Sequence, residues 1–270
     1  MKLLLLVVAA LCPVGAILAQ TMPDPSLLAE IQKIKAVDNH THVMKVTGPG
    51  EKDEEFDALP CDPLEPSGSP TMTRPENPAF LAAWKALYSY RYDDASPEHL
   101  KELLAAKQRV KQEQGDNFPA WVLDKLNTDV MFANRIAMGR GLNAPRFRWV
   151  PYDDALLFPL NNSAMADTPD RKIFYGREEA LLKRYLGDLR VNGLPATLQE
   201  YVSRVVVPEL EAQKRGNAVA IKFEAAYLRA LDFAPASEPA AAAIYAKYRS
   251  GGAAPKACGR VPAVSAIAWS

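Results

Sequence analysis

Four short apolar runs, each turning polar at its end and separated by amphipathic stretches, constrain this chain more than any other feature. They cover residues 36–43, 128–134, 147–152 and 218–224. Runs this short, rich in β-branched and aromatic residues, read as buried strands. With helices between them they give the alternation of a parallel α/β sheet. Helices are expected at 26–35, 79–91, 97–114, 119–126, 177–189, 197–214 and 238–248, with loop or short helix at 225–231. Residues 48–78 and 159–176 read as loops, the first a Pro/Gly/Asp/Glu-rich insertion. Strands and helices sorted into blocks would have indicated α+β instead, and an all-helical binding module would need all four runs to be helical.

Composition narrows the class. The chain is 49% hydrophobic and 24% charged, which is ordinary for a globular protein. Its 32 basic residues balance 32 acidic ones, and zero net charge argues against a nucleic-acid binder, which needs a basic face. At the start, Lys2 precedes an apolar run over 3–18 that ends at Ala19. That pattern predicts a signal peptide over 1–19. The run contains Pro13 and Gly15 and is shorter than the roughly 20 residues of a membrane span, so no stable anchor is expected after cleavage. The mature chain is expected to be exported, periplasmic or extracellular. It would keep Cys61 and Cys258, too few and too far apart for a disulfide framework.

The sharpest chemistry lies at the end of the first run. Asp38, His40 and His42 alternate, so on an extended chain they share one side. The chain has only three histidines, and two of them sit here. Paired imidazoles suit a divalent transition metal, zinc first, with Asp38 as the acceptor that orders them. The competing readings are a surface loop with incidental histidines and a glycosylation sequon at 39–41, which fits a buried strand end badly. The third, His99, falls in a helix and reads as a surface histidine. Lys222 lies within the fourth run, where a lone ammonium is costly. Either Glu224, on the same side, pairs with it, or it reaches the open end of the strand.

The stretch 37–42 (VDNHTH) resembles the first-strand signature of the amidohydrolase superfamily, metal-dependent hydrolases built on a (β/α)₈ barrel. Residues 130–135 (VMFANR) with 138–142 (MGRGL), 147–154 (FRWVPYDD) and 220–224 (AIKFE) resemble it too, so the likeness spans about 26–250. It implies an α/β TIM-type barrel of which this chain holds about four of the eight βα units. It also implies a divalent metal, zinc foremost, on His40 and His42. Lys222 would be a fourth-strand ligand, carbamylated in some members, with Asp38 and Glu224 in support. The implied reaction is hydrolysis of a C–N or C–O bond in a small substrate by metal-activated water, although some relatives decarboxylate or isomerise sugar acids. Arg135 and Arg140, after the second strand, would clamp an anionic substrate or pair with neighbouring carboxylates such as Asp124 and Asp129.

The likeness has gaps. The family's fifth- and sixth-strand histidines and eighth-strand aspartate have no counterpart here, and residues 251–270 lose all patterning. One reading is that translation leaves an ancestral frame near 254–256, so that the chain is an impaired first half of a barrel. The other is a naturally short member. A non-catalytic exported remnant or partner-binding protein is the alternative function. Open barrel edges predict self-association in either case.

Overall fold

A computed structural model describes residues 24–59, 77–231 and 235–252. The expected signal peptide, residues 60–76 of the first loop and the tail from 253 lie outside the described residues. The chain divides into two units, 1–35 and 36–270. In the first, α1 (Pro25–Lys33) starts with Pro25 in its first turn and with the Asp24 carboxylate accepting the Ser26 N–H at 2.8 Å.

The second unit is mixed α/β. Its strands β1 (Ala36–Thr41), β2 (Thr128–Asn134) and β3 (Phe147–Val150) form a parallel sheet in the order β1-β2-β3. The β1–β2 register slips between Asp38 and Thr41, which face Met131 and Ala133. Three steps on β1 therefore oppose two on β2, a bulge falling on Asn39 and His40. Such a bulge re-aims the side chains around it.

The fourth run departs from expectation. It is not a continuous strand but meets β3 at two isolated parallel bridges, Trp149 with Ala218 and Tyr152 with Lys222. Four steps on the run face three on the β3 side, so one extra residue breaks the ladder. The placement beside β3 is nevertheless kept. Val219 N–H donates to the Trp149 carbonyl at 3.0 Å and Lys222 N–H to the Pro151 carbonyl at 2.8 Å.

Helices fill the connections. Between β1 and β2 come α2 (Pro78–Tyr88), α3 (Pro97–Gln114) and α4 (Phe118–Lys125). After β3 come α5 (Asp154–Leu157) and α6 (Pro169–Asp188). The expected loop over 159–176 is thus shorter than the sequence suggested, because Thr168 caps the Arg171 N–H and Pro169 opens the helix. The helix expected at 197–214 is α7 (Leu198–Tyr201) and α8 (Val207–Arg215), joined by a π-helical turn at Val202–Val206. Pro208 has no N–H for the Arg204 carbonyl and its ring crowds that turn, so the helix widens there. Finally, α9 (Ala225–Leu228) and α10 (Glu238–Tyr248) follow the fourth run. No helix among the described residues is long and apolar enough to cross a membrane.

The main core packs Leu181, Leu182 and Tyr185 of α6 against Tyr152, Tyr201, Val205 and Tyr245. Its tyrosine hydroxyls are satisfied by main-chain carbonyls. Tyr185 donates to Tyr152 at 3.0 Å, Tyr201 to Leu156 at 2.9 Å and Tyr245 to Pro195 at 3.0 Å. Two of these bonds anchor the segment that follows β3, and that segment borders the site.

Candidate functional site

The carboxyl ends of β1 and of the fourth run bring His40, His42 and Lys222 to one place. Lys222 Nζ lies 2.7 Å from His40 Nε2, and the two imidazole centres are 5.4 Å apart. On a flat sheet the first and fourth positions would be about 14 Å apart, three strand spacings. Contact between their side chains requires both to reach over the same face of the array. The ammonium donates to Nε2, so His40 is the neutral Nδ1–H tautomer. Burial first, then the charges of Lys222 and His42, hold its pKa below the ordinary histidine value, which agrees with that tautomer.

His42 is held differently. Its Nδ1 lies 2.8 Å from Asp57 Oδ2, with the Tyr152 hydroxyl 3.3 Å away on the same nitrogen. The hydrogen bond to Asp57 raises its pKa against the cost of burial. A carboxylate on Nδ1 fixes the ring and turns Nε2 outward as the donor, as in metal centres. Asp38 plays another part. Its carboxylate accepts the His40 backbone N–H at 3.2 Å, so it shapes the bulge while Asp57 holds an imidazole.

Behind the histidines lies a group of buried carboxyls. Glu224 is 4% exposed, Asp153 1%, Asp154 0% and Glu178 1%. Asp154 Oδ2 accepts the Glu224 N–H at 2.6 Å, which pins the end of the fourth run, and Gln213 Nε2 donates to Asp153 Oδ1 at 2.8 Å. Among the described residues, Glu224 Oε2, Asp153 Oδ2, Asp154 Oδ1 and both Glu178 oxygens have no hydrogen-bond partner. Burial, reinforced by the neighbouring carboxylates, pushes Glu224 up to about 8 and Glu178 to about 9. Lys222 works against the shift at Glu224, so the two expected partners sense each other's charge.

The arginines lie elsewhere. Arg135 is fully buried and binds Asp53 through Nη1 and Nη2 at 2.8 and 2.7 Å, with further bonds to the Val43 and Ala137 carbonyls. Arg140 pairs at the surface with Asp116 at 3.1 Å, and it is Arg146 that meets Asp124, at 2.8 Å. His99 stacks on Tyr92 with ring centres 3.4 Å apart and binds Asp94. Sequence reasoning missed Asp57, Tyr152, Asp154 and Glu178. The polar end of the third run was the available signal for Tyr152 and Asp154, since strand ends in parallel sheets face the site. Nothing local marks Asp57, which sits in a loop without periodicity.

A divalent metal would find a partial donor set. The two imidazoles and the carboxylate behind His42 fit it, and Lys222 and Glu224 stand beside them. Among the described residues, however, no group of three or more His, Cys, Asp or Glu is placed to hold one ion. Compared with protein-family models, curated proteins and solved structures, the chain gives no match in any of the three.

Proposed function

We propose that this chain is the metal-holding portion of an amidohydrolase-type (β/α)₈ barrel, exported after loss of residues 1–19, whose reaction is hydrolysis of a C–N or C–O bond in a small substrate. The observation that carries the reading is the meeting of His40 and Lys222 across the parallel array, 2.7 Å apart at the carboxyl ends of the first and fourth runs. Active centres of parallel α/β barrels occupy that end. His40 and His42 are the proposed ligands, and zinc is the favoured ion for an imidazole set. A bound divalent metal supplies Lewis acidity towards a carbonyl oxygen and towards water. Asp57 keeps the His42 ring in place with Nε2 outward. Lys222 must release His40 Nε2 before that nitrogen can bind an ion, which loss of its positive charge would allow. Glu224 carries a proton on a buried carboxyl at neutral pH and can give it up within the site.

The two-imidazole set favours a second reading, a non-catalytic exported protein that holds metal weakly or not at all. Metal analysis after dialysis against zinc separates the two. The proposal expects about one zinc per site in the native chain and its loss in His40→Ala/His42→Ala, with hydrolysis of an ester, amide or lactone panel lost in step. Equal zinc in native and double-variant protein would refute ligation here. Retained zinc without turnover would favour the second reading.

A further inference from the structure

We infer that two copies of this chain pair edge to edge, the fourth run of each lying parallel to β1 of the other, so that two halves close one barrel about a twofold axis. The strand pairing stands on sheet topology alone. Only its consequence for metal binding rests on the function proposed above.

The order β1-β2-β3-fourth run is sequential, and every neighbour is parallel. The free edge at one end of this array therefore has the same strand sense as the free edge at the other. A half-turn about an axis along the strands brings the last edge of each copy beside the first edge of its mate, at both seams together. Two such arrays give eight strands, the number at which a closed parallel barrel is filled by its own side chains. The contact of Lys222 with His40 puts the side chains of the first and fourth positions on one face, as closure needs.

Neither edge has a further strand beside it among the described residues. Among the described residues, β1 is paired only with β2. The backbone N–H groups of Ala220, Ile221 and Phe223 find no backbone acceptor among the described residues. Parallel sheets are normally covered on both faces, yet Val37 is 60% exposed and Val219 and Phe223 44% each. An apolar groove of about 410 Å³ runs beside the fourth run, lined by Val207, Leu210, Val219 and Ile221. Zero net charge sets no strong repulsion between copies. A second copy is the occupant these edges select, because each free edge matches the other in direction. Closure would also gather His40 and His42 from both copies at one mouth, where the described residues of one copy set no three His, Cys, Asp or Glu ligands for a single ion.

Light scattering of the full chain after size-exclusion chromatography should give twice its 29.6 kDa mass. In a background with Cys12, Cys61 and Cys258 changed to serine, Val37→Cys protein mixed with Val219→Cys protein should form a disulfide-linked dimer that neither forms alone. Ala220→Pro removes an outward N–H and should yield monomer with unchanged helical circular dichroism. If that variant fails to fold, Val219→Lys places a charge on the same edge and should have the same effect. A monomeric native chain, an open polydisperse polymer, or a dimer that survives the edge substitutions without the mixed cross-link would each overturn the pairing. Cross-linked dimer without bound zinc would leave the pairing intact and count against the metal reading.

Discussion

Arg135 lies at 0% side-chain exposure and its partner Asp53 at 1%, joined by two short hydrogen bonds. Burial alone would raise the Asp53 pKa, but the Arg135 hydrogen bonds and charge, together with the Lys45 amide, bring it below the usual aspartate value. A pair so enclosed has a sharp mutational signature, because removing one partner strands the other charge. Arg135→Met should cost about 3–5 kcal/mol in urea unfolding, whereas Arg140→Ala, at an exposed pair, should cost under about 1 kcal/mol. Since folding depresses the Asp53 pKa, its contribution is present above the unfolded value and is lost as pH falls through the folded one. The same residue shows what a sequence can and cannot reveal. Arg135 was visible as an arginine after a strand, with substrate and structural partners both open. Its partner Asp53 sits in an aperiodic loop 82 positions away, and only the folded chain brings them together. His40 and His42 were legible because two-residue alternation is a local rule. Asp57 was not, because its approach to His42 depends on the path of that loop.

At the scale of elements, local rules placed most helices within a few residues and failed where two signals competed. The start of α6 was missed because its first turns hold charged and aromatic residues without an apolar stripe, while Thr168 and Pro169 had already supplied the stop-and-start chemistry. The interrupted fourth run was read as a strand because periodicity does not register one extra residue. Another cap offers a clean test. Thr197 accepts the Glu200 N–H at 3.1 Å while the Glu200 carboxylate accepts the Thr197 N–H at 3.2 Å, a reciprocal box at the start of α7. Thr197→Ala should destabilise the protein by about 1 kcal/mol and lower its thermal midpoint by about 2–4 °C, while Thr197→Ser should leave both close to native. Equal midpoints for the alanine and serine variants would mean that packing of Leu198 and Tyr201 holds this turn without the cap.

For the molecule as a whole, the buried carboxyls set a direction for stability against pH. Glu178 on α6 faces Asp153 and Asp154 at the start of α5 and Glu224 at the end of the fourth run, and these neighbours add to burial in raising it to about 9. Burial likewise raises Asp153 to about 7 and Asp154 to about 6. In the unfolded chain such groups release their protons near pH 4. Between that value and the folded ones the native state binds more protons than the unfolded state, so stability falls as pH rises. The benefit of these groups is complete only below about pH 4, declines from there through pH 6 and 7, and is exhausted above about 9. Asp53 acts in the opposite sense at lower pH, so the most stable condition should lie on the acid side of neutrality. Thermal midpoints at constant ionic strength should fall between pH 6 and pH 9, and Glu178→Gln, which keeps the shape but cannot ionise, should flatten that fall. A midpoint that rises over this interval, or a slope unchanged in Glu178→Gln, would show that Glu178 is ionised in the native protein and finds its counter-charge there.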